Sequence, residues 1–576
     1  MNKFGFSFSV LSILMLFSKI PVFAQSLPVG TPVFEDFYRR EQLLGKIDSN
    51  VSFTIRPLFP VVDFNARNIF DPDSVLSADD PLKNNGIYKT RNGEGVLQVL
   101  PVNWLQQYNT HNPYGWNDGP MIPAAGYQSL FSAGIYAKYK FLSVQLRPEF
   151  VYAQNKNFDG FTQAGNNSNA WMAWYDLNNY IDMPERFGKT PYSKLFAGQS
   201  SIRITFDPVS FGVSTEDLWW GPGIRNSLIM SNNAPGFLHL TLNTTRPVKT
   251  PIGSFETQII AGKLDGSGYS PLVPGQPGNH DTLNMPKLND WRYLSGVVFT
   301  YQPKWVPGLF LGITRVYQVY ESDMGHGFSD YFPIFTSFFK ADFYNPNNGV
   351  NTDDAKKHDQ LASIFMRWLW PAANAEIYAE YGREDHNWNS RDLLLDPQHT
   401  RAYIFGFRKL FRAGSNPDEN IQIGFEETQM AQPPDDIINR PNGYWYAHSI
   451  VRSGYTNDGQ VLGAGIGPGS SLLSMDVSWV KGLNKIGLQI ERYEHNQDFY
   501  YYAFPPGNDR RHWVDYSAGI NTEWPDGHII FSASLLYVKE LNYQWKFTNN
   551  PNLSYFNQQN DDANNFEPSL SMCYRF

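Results

Sequence analysis

The chain has 576 residues, a formal net charge of −9 and 16% aromatic residues, 42 of them Phe, 33 Tyr and 16 Trp. The acidic balance argues against nucleic acid as a partner, and a lone cysteine, Cys573, excludes a disulfide framework and a cysteine-based metal site. Without a low-complexity linker or a sharp shift in composition, one large architecture is the simpler reading, and so many aromatics suit a protein with girdles at membrane interfaces better than a large secreted β-protein.

Residues 1–24 read as a secretory signal peptide: Lys3, an apolar stretch from Phe4 to Phe17, then the small residues Val22 and Ala24 before a cut near Gln25. No cysteine follows, so a lipoprotein is not expected. Beyond this segment no apolar run approaches about 18 residues, which excludes a transmembrane helix and leaves a closed barrel as the only way across a bilayer. Residues 31–48, TPVFEDFYRREQLLGKID, set Phe34, Phe37, Leu43 and Leu44 among charges, the pattern of a short amphipathic helix ending near Gly45. A strand-like run, VSFTIRPL at 51–58, and a loop rich in Asn, Asp and Pro complete a region, 25–93, that reads as an N-terminal helical plug. The barrel then occupies 94–576.

From residue 94 the chain repeats one design. Leu142, Val144, Leu146, Phe150 and Tyr152 share one face of a strand and Ser143, Gln145, Arg147 and Glu149 the other. Val514 to Trp524 alternates in the same way, and Ala375, Ile377, Ala379 and Tyr381 oppose Glu376, Tyr378 and Glu380. About 18 such segments are expected, among them 94–106, 141–154, 197–206, 236–248, 374–385 and 569–576. The number is even, and short and long connections alternate throughout, as periplasmic turns and extracellular loops do in bacterial barrels. An unfilled barrel of this size would leave an aqueous channel, for which residues 25–93 are the available plug. The run 51–58 would break the parity and is assigned to that plug.

Between the fifth and sixth strands the sequence reads WWGPGIRNSLIMSNNAPGF. Gly221 and Gly223 flank Pro222 and demand a sharp turn, while Asn226, Ser227, Ser231, Asn232 and Asn233 are suited to closing turns with their side chains. The loop is expected on the extracellular side, folded over the mouth. Together with the strand pair that follows, to Tyr269, this run resembles the Wzi-type capsule assembly proteins of the bacterial outer membrane. FEDFYRREQLLG and SFTIRPL near the start, residues 376–410 and the second Gly-Pro-Gly loop at 459–482 extend the resemblance over most of the mature chain. The resemblance implies a barrel in the outer-membrane lipid of a Gram-negative bacterium, with an N-terminal helical plug and loops facing the cell surface. It implies a lectin that helps hold capsular polysaccharide on the cell, with no cofactor.

Glu376, Glu380, Arg383, Glu384, Asp385 and His386 invite comparison with the paired carboxylates of glycoside hydrolases. The reading favoured here is a polar ladder in the lumen, Glu376, Glu380, Arg383 and Asp385, in which Arg383 pairs with the glutamates. The pairs Asp353–Asp354, Asp435–Asp436 and Asp561–Asp562 lack the spacing of a calcium loop, and His386, His399, His512 and His528 show no metal-ligand spacing, so no metal is expected. No phosphate-binding loop, dinucleotide fingerprint or nucleophile elbow is present, and the Gly-Pro-Gly runs have neither a following helix nor the lysine of a phosphate loop.

Trp219, Trp220, Tyr444, Trp445, Tyr446, Tyr500, Tyr501 and Tyr502 fall at or in outer loops, where flat faces can stack on sugar rings; an interfacial aromatic belt is the competing explanation for each. At the C-terminus Leu570, Met572, Tyr574 and Phe576 alternate to a terminal aromatic, with Ser569, Ser571, Cys573 and Arg575 on the inner face. This resembles the closing-strand signal read by barrel insertion machinery. The sequence therefore points to a plugged outer-membrane barrel of about 18 antiparallel strands that binds surface polysaccharide without cleaving it. A porin or solute channel is the alternative, and an outer-membrane polysaccharide hydrolase the third reading.

Overall fold

A computed structural model describes residues 26–576 apart from 60–63, 65–67, 79–86, 93, 162–167, 272–282, 348, 353, 385–386, 417, 434–443, 505–508, 548–549 and 555–561. The expected signal peptide, Asp385, His386, Asp353, Asp435, Asp436 and Asp561 thus lie outside the described residues.

Eighteen antiparallel strands close into one barrel. They are β1 (Gly95–Asn109), β2 (Gly126–Tyr139), β3 (Leu142–Leu146 and Glu149–Ala153), β4 (Tyr192–Phe196 and Ser201–Phe206), β5 (Val209–Ser214) and β6 (His239–Thr244 and Val248–Thr250). Then follow β7 (Gly253–Leu264), β8 (Arg292–Pro303), β9 (Leu309–Tyr320), β10 (Asp359–Trp370), β11 (Ala375–Glu384) and β12 (Arg401–Arg412). The last six are β13 (Glu419–Gln429), β14 (Ser471–Lys481), β15 (Asn484–Glu494), β16 (Val514–Asp526), β17 (Ile529–Leu541) and β18 (Ala563–Tyr574). Each pairs with its neighbours in sequence, and β18 closes on β1 with Ser569 opposite Gln107 and Tyr574 opposite Val102. Closure leaves no unpaired edge, which a backbone surrounded by hydrocarbon requires.

The period-two pattern sorts side chains as expected. On β12 Ile404 and Arg408 are buried inside while Phe405 and Phe407 face out, 45% and 37% exposed. Ile202, Phe211, Leu242, Ile364, Leu488 and Leu535 continue this apolar outer wall around the barrel. The strand at 141–154 is interrupted at Pro148, which has no N–H to give the ladder. The closing strand begins at Ala563, earlier than the alternation at 569–576 indicates, because Phe566 packs on Tyr537 across the ladder with ring centroids 5.1 Å apart.

One helix, α1 (Pro32–Leu43), lies inside the turn-side half of the barrel. Proline at its first position and the Glu35 carboxylate, which accepts the Thr31 N–H at 3.1 Å, start it, and Gly45 at φ +72° ends it. Phe34, Phe37 and Tyr38 join Phe53, Phe64 and Phe70 in a cluster against the inner-wall residues Leu100, Tyr136 and Ile530. Leu43 fills a second cluster with Phe310, Leu369, Leu410 and Val480. Of the run 51–58, only Ile55–Arg56 forms a strand, and it pairs inside the lumen with Trp219–Trp220. Among the described residues no helix is long and apolar enough to cross a membrane.

Candidate functional site

The Gly-Pro-Gly loop does not lie over the mouth. Residues 215–238 turn down into the lumen and meet α1. Gly221 donates its N–H to the Thr54 carbonyl at 2.9 Å, and Arg39 donates to the Pro222 carbonyl at 2.8 Å. Glu426 on β13 draws the turn inward, accepting the N–H groups of Ile224, Arg225 and Asn226 at 2.7, 3.1 and 2.8 Å and the Tyr378 hydroxyl at 2.9 Å. Gly221 has φ +131°, and a Cβ there would stand 2.8 Å from a Glu380 oxygen; one on Gly223 would stand 2.0 Å from the Asn226 carbonyl. Only glycine fits either position. Of the polar side chains expected to close turns, Ser227 does so on the Trp220 carbonyl and Ser231 does so by accepting the Asn233 N–H at 3.2 Å. Asn226, Asn232 and Asn233 instead reach Thr428, the Asn117 carbonyl and the Val461 carbonyl, tying the loop to its neighbours.

Below the turn, buried charges clamp α1 to the wall. Glu376 accepts from Arg39 at 2.9 Å and from Arg367 at 2.6 Å, and Arg367 also donates to Gln42 and to the Ser52 carbonyl, each at 2.8 Å. Asp36 is ringed by Arg40, Arg408 at 2.8 Å and Lys485 at 3.3 Å. Glu380 accepts the Ser363 hydroxyl at 2.7 Å and the Leu228 N–H at 3.3 Å. Arg383 departs from the expected ladder. It sits at odd parity with Ile377 and Tyr381, so it points outward, away from the glutamates, and donates to the Asp396 carbonyl at 3.0 Å. Beside α1 a charged chamber of about 460 Å³ remains, lined by Asp36, Arg408, Glu426 and Lys485.

The mouth-side half is closed differently, by aromatic packing. Helix α2 (Ser168–Tyr180) lies against α3 (Gln497–Ala503). Phe161 stacks on Trp174 at 5.7 Å, and Phe499 packs on Trp545 at 4.5 Å. Most of the aromatic set expected to meet sugar is buried within the protein, Trp220, Trp445, Tyr446 and Tyr500 in this packing and Trp219 under the Arg56 guanidinium beside α1. Trp219, Trp220, Tyr444, Trp445, Tyr446 and Tyr500 are all buried. Trp220 donates to Gln258 and Trp445 to the Thr400 carbonyl, both at 2.9 Å. The Tyr446 hydroxyl bridges the Leu228 carbonyl at 2.7 Å and the Ala464 N–H at 2.8 Å. Tyr501 and Tyr502 alone of the eight are exposed, 40% and 37%, with Tyr501 packed on Tyr500 at 5.2 Å and Tyr502 on Tyr444 at 6.1 Å.

Between the connections that follow β3, β7 and β13 lies a cleft of about 530 Å³ that no sequence motif marks. Tyr269 and Trp291 supply aromatic faces, and Asn178, Asn289, Asp182 and Asp290 supply hydrogen-bonding groups. The cleft is built: Asp182 accepts both the N–H and the hydroxyl of Ser267 at 2.6 Å, and Lys287 donates to the carbonyls of Asn178 at 2.6 Å and Arg452 at 2.7 Å. Burial pushes the Lys287 ammonium down to about 7, with Asp182 opposing and Arg452 and Arg292 adding to the fall. The signal available in sequence was the interleaving of Tyr269 and Trp291 with glycine, asparagine and aspartate in one long connection.

A closed barrel whose lumen is occupied by its own N-terminal helix and by inward-folded loops is a plugged outer-membrane β-barrel. The chain belongs to the capsule assembly protein Wzi family, whose model matches residues 131–524. In fold it is similar to Wzi of Escherichia coli, described as an outer membrane protein involved in group 1 capsule assembly and a carbohydrate-binding β-barrel. That likeness has a TM-score of 0.56 at 14% identity and covers 96% of this chain and 100% of that one. Weaker likenesses, which carry no argument, are OccK7 (OpdD) of Pseudomonas aeruginosa (TM-score 0.37, 9% identity, 83% of this chain and 99% of that one) and OccAB2 of Acinetobacter baumannii (0.38, 9%, 83% and 97%). No curated protein matches the chain.

Proposed function

We propose that the protein is a lectin of the cell surface that holds capsular polysaccharide on the long connections of the barrel, which face outward, and does not cleave it. One observation carries the reading: a polar, aromatic-flanked cleft stands open among the long connections while the lumen beneath is occupied by the N-terminal helix and the inward-folded loops. Aromatic faces beside amides and carboxylates match a glycan, which presents apolar ring faces and hydroxyls together. Against hydrolysis stands the spacing of the two glutamates, four residues apart on one strand face and so about 13 Å at about 3.3 Å per residue. A cleaving pair stands within about 5–9.5 Å. Both glutamates are also occupied by protein partners.

The test is affinity of the purified protein for the host's capsular polysaccharide. Tyr269→Ala and Trp291→Ala should each weaken binding and loosen capsule from cells at unchanged barrel yield. Wild-type protein with no affinity for that polymer would refute the reading, and shortened polymer would replace it with a hydrolase. The charged chamber beside α1 favours a second reading, a channel, and steady planar-bilayer conductance of the intact protein would establish it.

A further inference from the structure

On strands β8 to β11 several outward-facing side chains at the mouth-side ends are polar yet hidden. Arg315 and Tyr317 on β9, Ser295 on β8, Gln360 on β10 and Arg383 on β11 have the parity of the lipid-facing wall, yet each is buried. The cover is the protein itself. The connection after β9 folds back down the outside of the barrel, and Arg315 donates to the carbonyls of Thr336 and Ser337 at 2.6 Å and to Gln360 at 2.7 Å, with its guanidinium 4.0 Å from the centre of the Phe338 ring. Tyr293, also outward, donates to the Tyr331 carbonyl at 2.8 Å. The connection after β11 covers Arg383 and is laced to the first, Lys340 and Ala341 donating to the Asn387 and Trp388 carbonyls at 3.0 and 2.9 Å.

The cover exposes large apolar side chains, with polar ones such as Asp342, Asn345 and Arg391 between them. Phe328 is 72% exposed, Phe335 59%, Leu394 80% and Leu395 70%. Just below, Phe299 on β8, Ile364 on β10 and Phe405 on the neighbouring β12 continue the exposed apolar wall. We propose that these two connections form a lateral collar that enters the outer leaflet, where Phe328, Phe335, Leu394 and Leu395 meet lipid acyl chains. The guanidinium groups decide the occupant. In contact with water Arg315 and Arg383 would need no carbonyl cover, whereas a charge turned toward hydrocarbon must be satisfied by protein. Continuity with the lipid-facing wall points the same way. The inference is independent of what the cleft binds.

The experiment places single spin-labelled cysteines at Phe335 and Leu394, in full-length protein carrying Cys573→Ser and reconstituted in phospholipid bilayers. Reference labels stand at Ile364 in the lipid-facing wall and at Asn289 in the cleft. Collisions with dissolved oxygen, which concentrates in hydrocarbon, and with a water-soluble nickel chelate are compared. Labels at both collar positions should behave like Ile364, favouring oxygen several-fold over nickel relative to Asn289. Nickel access equal to that at Asn289 would overturn the proposal by placing the collar in water. Low access to both reagents would overturn it in favour of a second copy of this chain seated on the collar.

Discussion

The two halves of the lumen are filled by different physics. The turn side is held by carboxylates and guanidinium groups, Glu376 between Arg39 and Arg367 and Asp36 among Arg40, Arg408 and Lys485, around a helix. The mouth side is held by packed rings, Trp220, Trp445, Tyr446 and Tyr455 among them, around inward loops. Buried ion pairs are directional and lose heavily when one partner goes, because the other charge is stranded. Packed aromatics fail by leaving cavities and tolerate change more evenly. The charged half therefore fixes where the plug sits, and the aromatic half fixes how tightly the mouth is shut.

The largest expected effect comes from removing the charged half outright. Protein lacking residues 25–93 should still insert, since the strands supply one another's hydrogen bonds, but it should conduct ions where the intact protein does not. Equal, negligible conductance of both would show that the mouth alone seals the barrel. Next comes Glu376→Ala, which strands Arg39 and Arg367 and should cost about 3–5 kcal/mol of plug seating. It would be read as faster hydrogen exchange at Phe34 to Leu43 with barrel yield unchanged. On the mouth side, Tyr446→Phe leaves the Leu228 carbonyl and the Ala464 N–H without their partner and should cost less, about 1–3 kcal/mol. Its exchange signature should stay within 444–466 and spare α1.

The halves should also part with pH. Burial pushes the carboxyls of Glu185 and Asp498, both in the mouth-side connections, up to about 7, against the pull of the Phe161 N–H on the first and of the Gln432 N–H and Arg401 on the second. A carboxyl raised in the folded state adds stability that is fully present below its unfolded value, near 4, and is lost as pH rises through 7. Exchange at Phe499 to Ala503, corrected for its intrinsic pH dependence, should therefore quicken as pH rises from about 4.5 to about 7.5 and level off above that. Exchange in α1 should not follow, since its clamp is made of charged pairs. Parallel changes in both would dissolve the distinction between the halves.

Much of the barrel was legible because period-two alternation is local. Lipid on one face and lumen on the other dictate it residue by residue, as in Ile404 to Arg408, and even the error at Arg383 was one of parity that the sequence itself contradicts. The filling of the lumen was not legible in the same way. Whether Trp220 or Trp445 stacks on a ligand or on its own chain depends on the volume inside a closed barrel and on distant partners such as Glu426, which accepts three N–H groups from a turn some two hundred residues away. Local pattern carries no record of that volume. The cleft escaped for a related reason: its walls come from three separate connections, none distinctive alone.

The smallest expected effect belongs to Tyr501 and Tyr502, the two exposed members of the eight aromatics, on a helix whose inner side is anchored by Phe499 in the mouth packing. If polysaccharide runs from the cleft across the mouth, each ring lost to alanine should weaken binding by on the order of 1 kcal/mol, taking aromatic-pair energies as a guide. On a short oligosaccharide that is a change of several-fold per ring. On the native polymer, where many copies of the protein grip one chain, the same loss is multiplied through effective concentration and should appear as looser capsule. Tyr501→Ala and Tyr502→Ala each remove one ring from the rim, Tyr501 beside Tyr500 and Tyr502 beside Tyr444, but leave the Phe499–Trp545 packing in place, so barrel yield should not change. Trp445→Ala opens a cavity and should disturb both barrel yield and exchange at the mouth. Unchanged affinity in the double tyrosine variant would confine the glycan to the cleft, and equal losses from Tyr501→Ala and Trp445→Ala would mean that binding reads the integrity of the mouth and not the exposed rings.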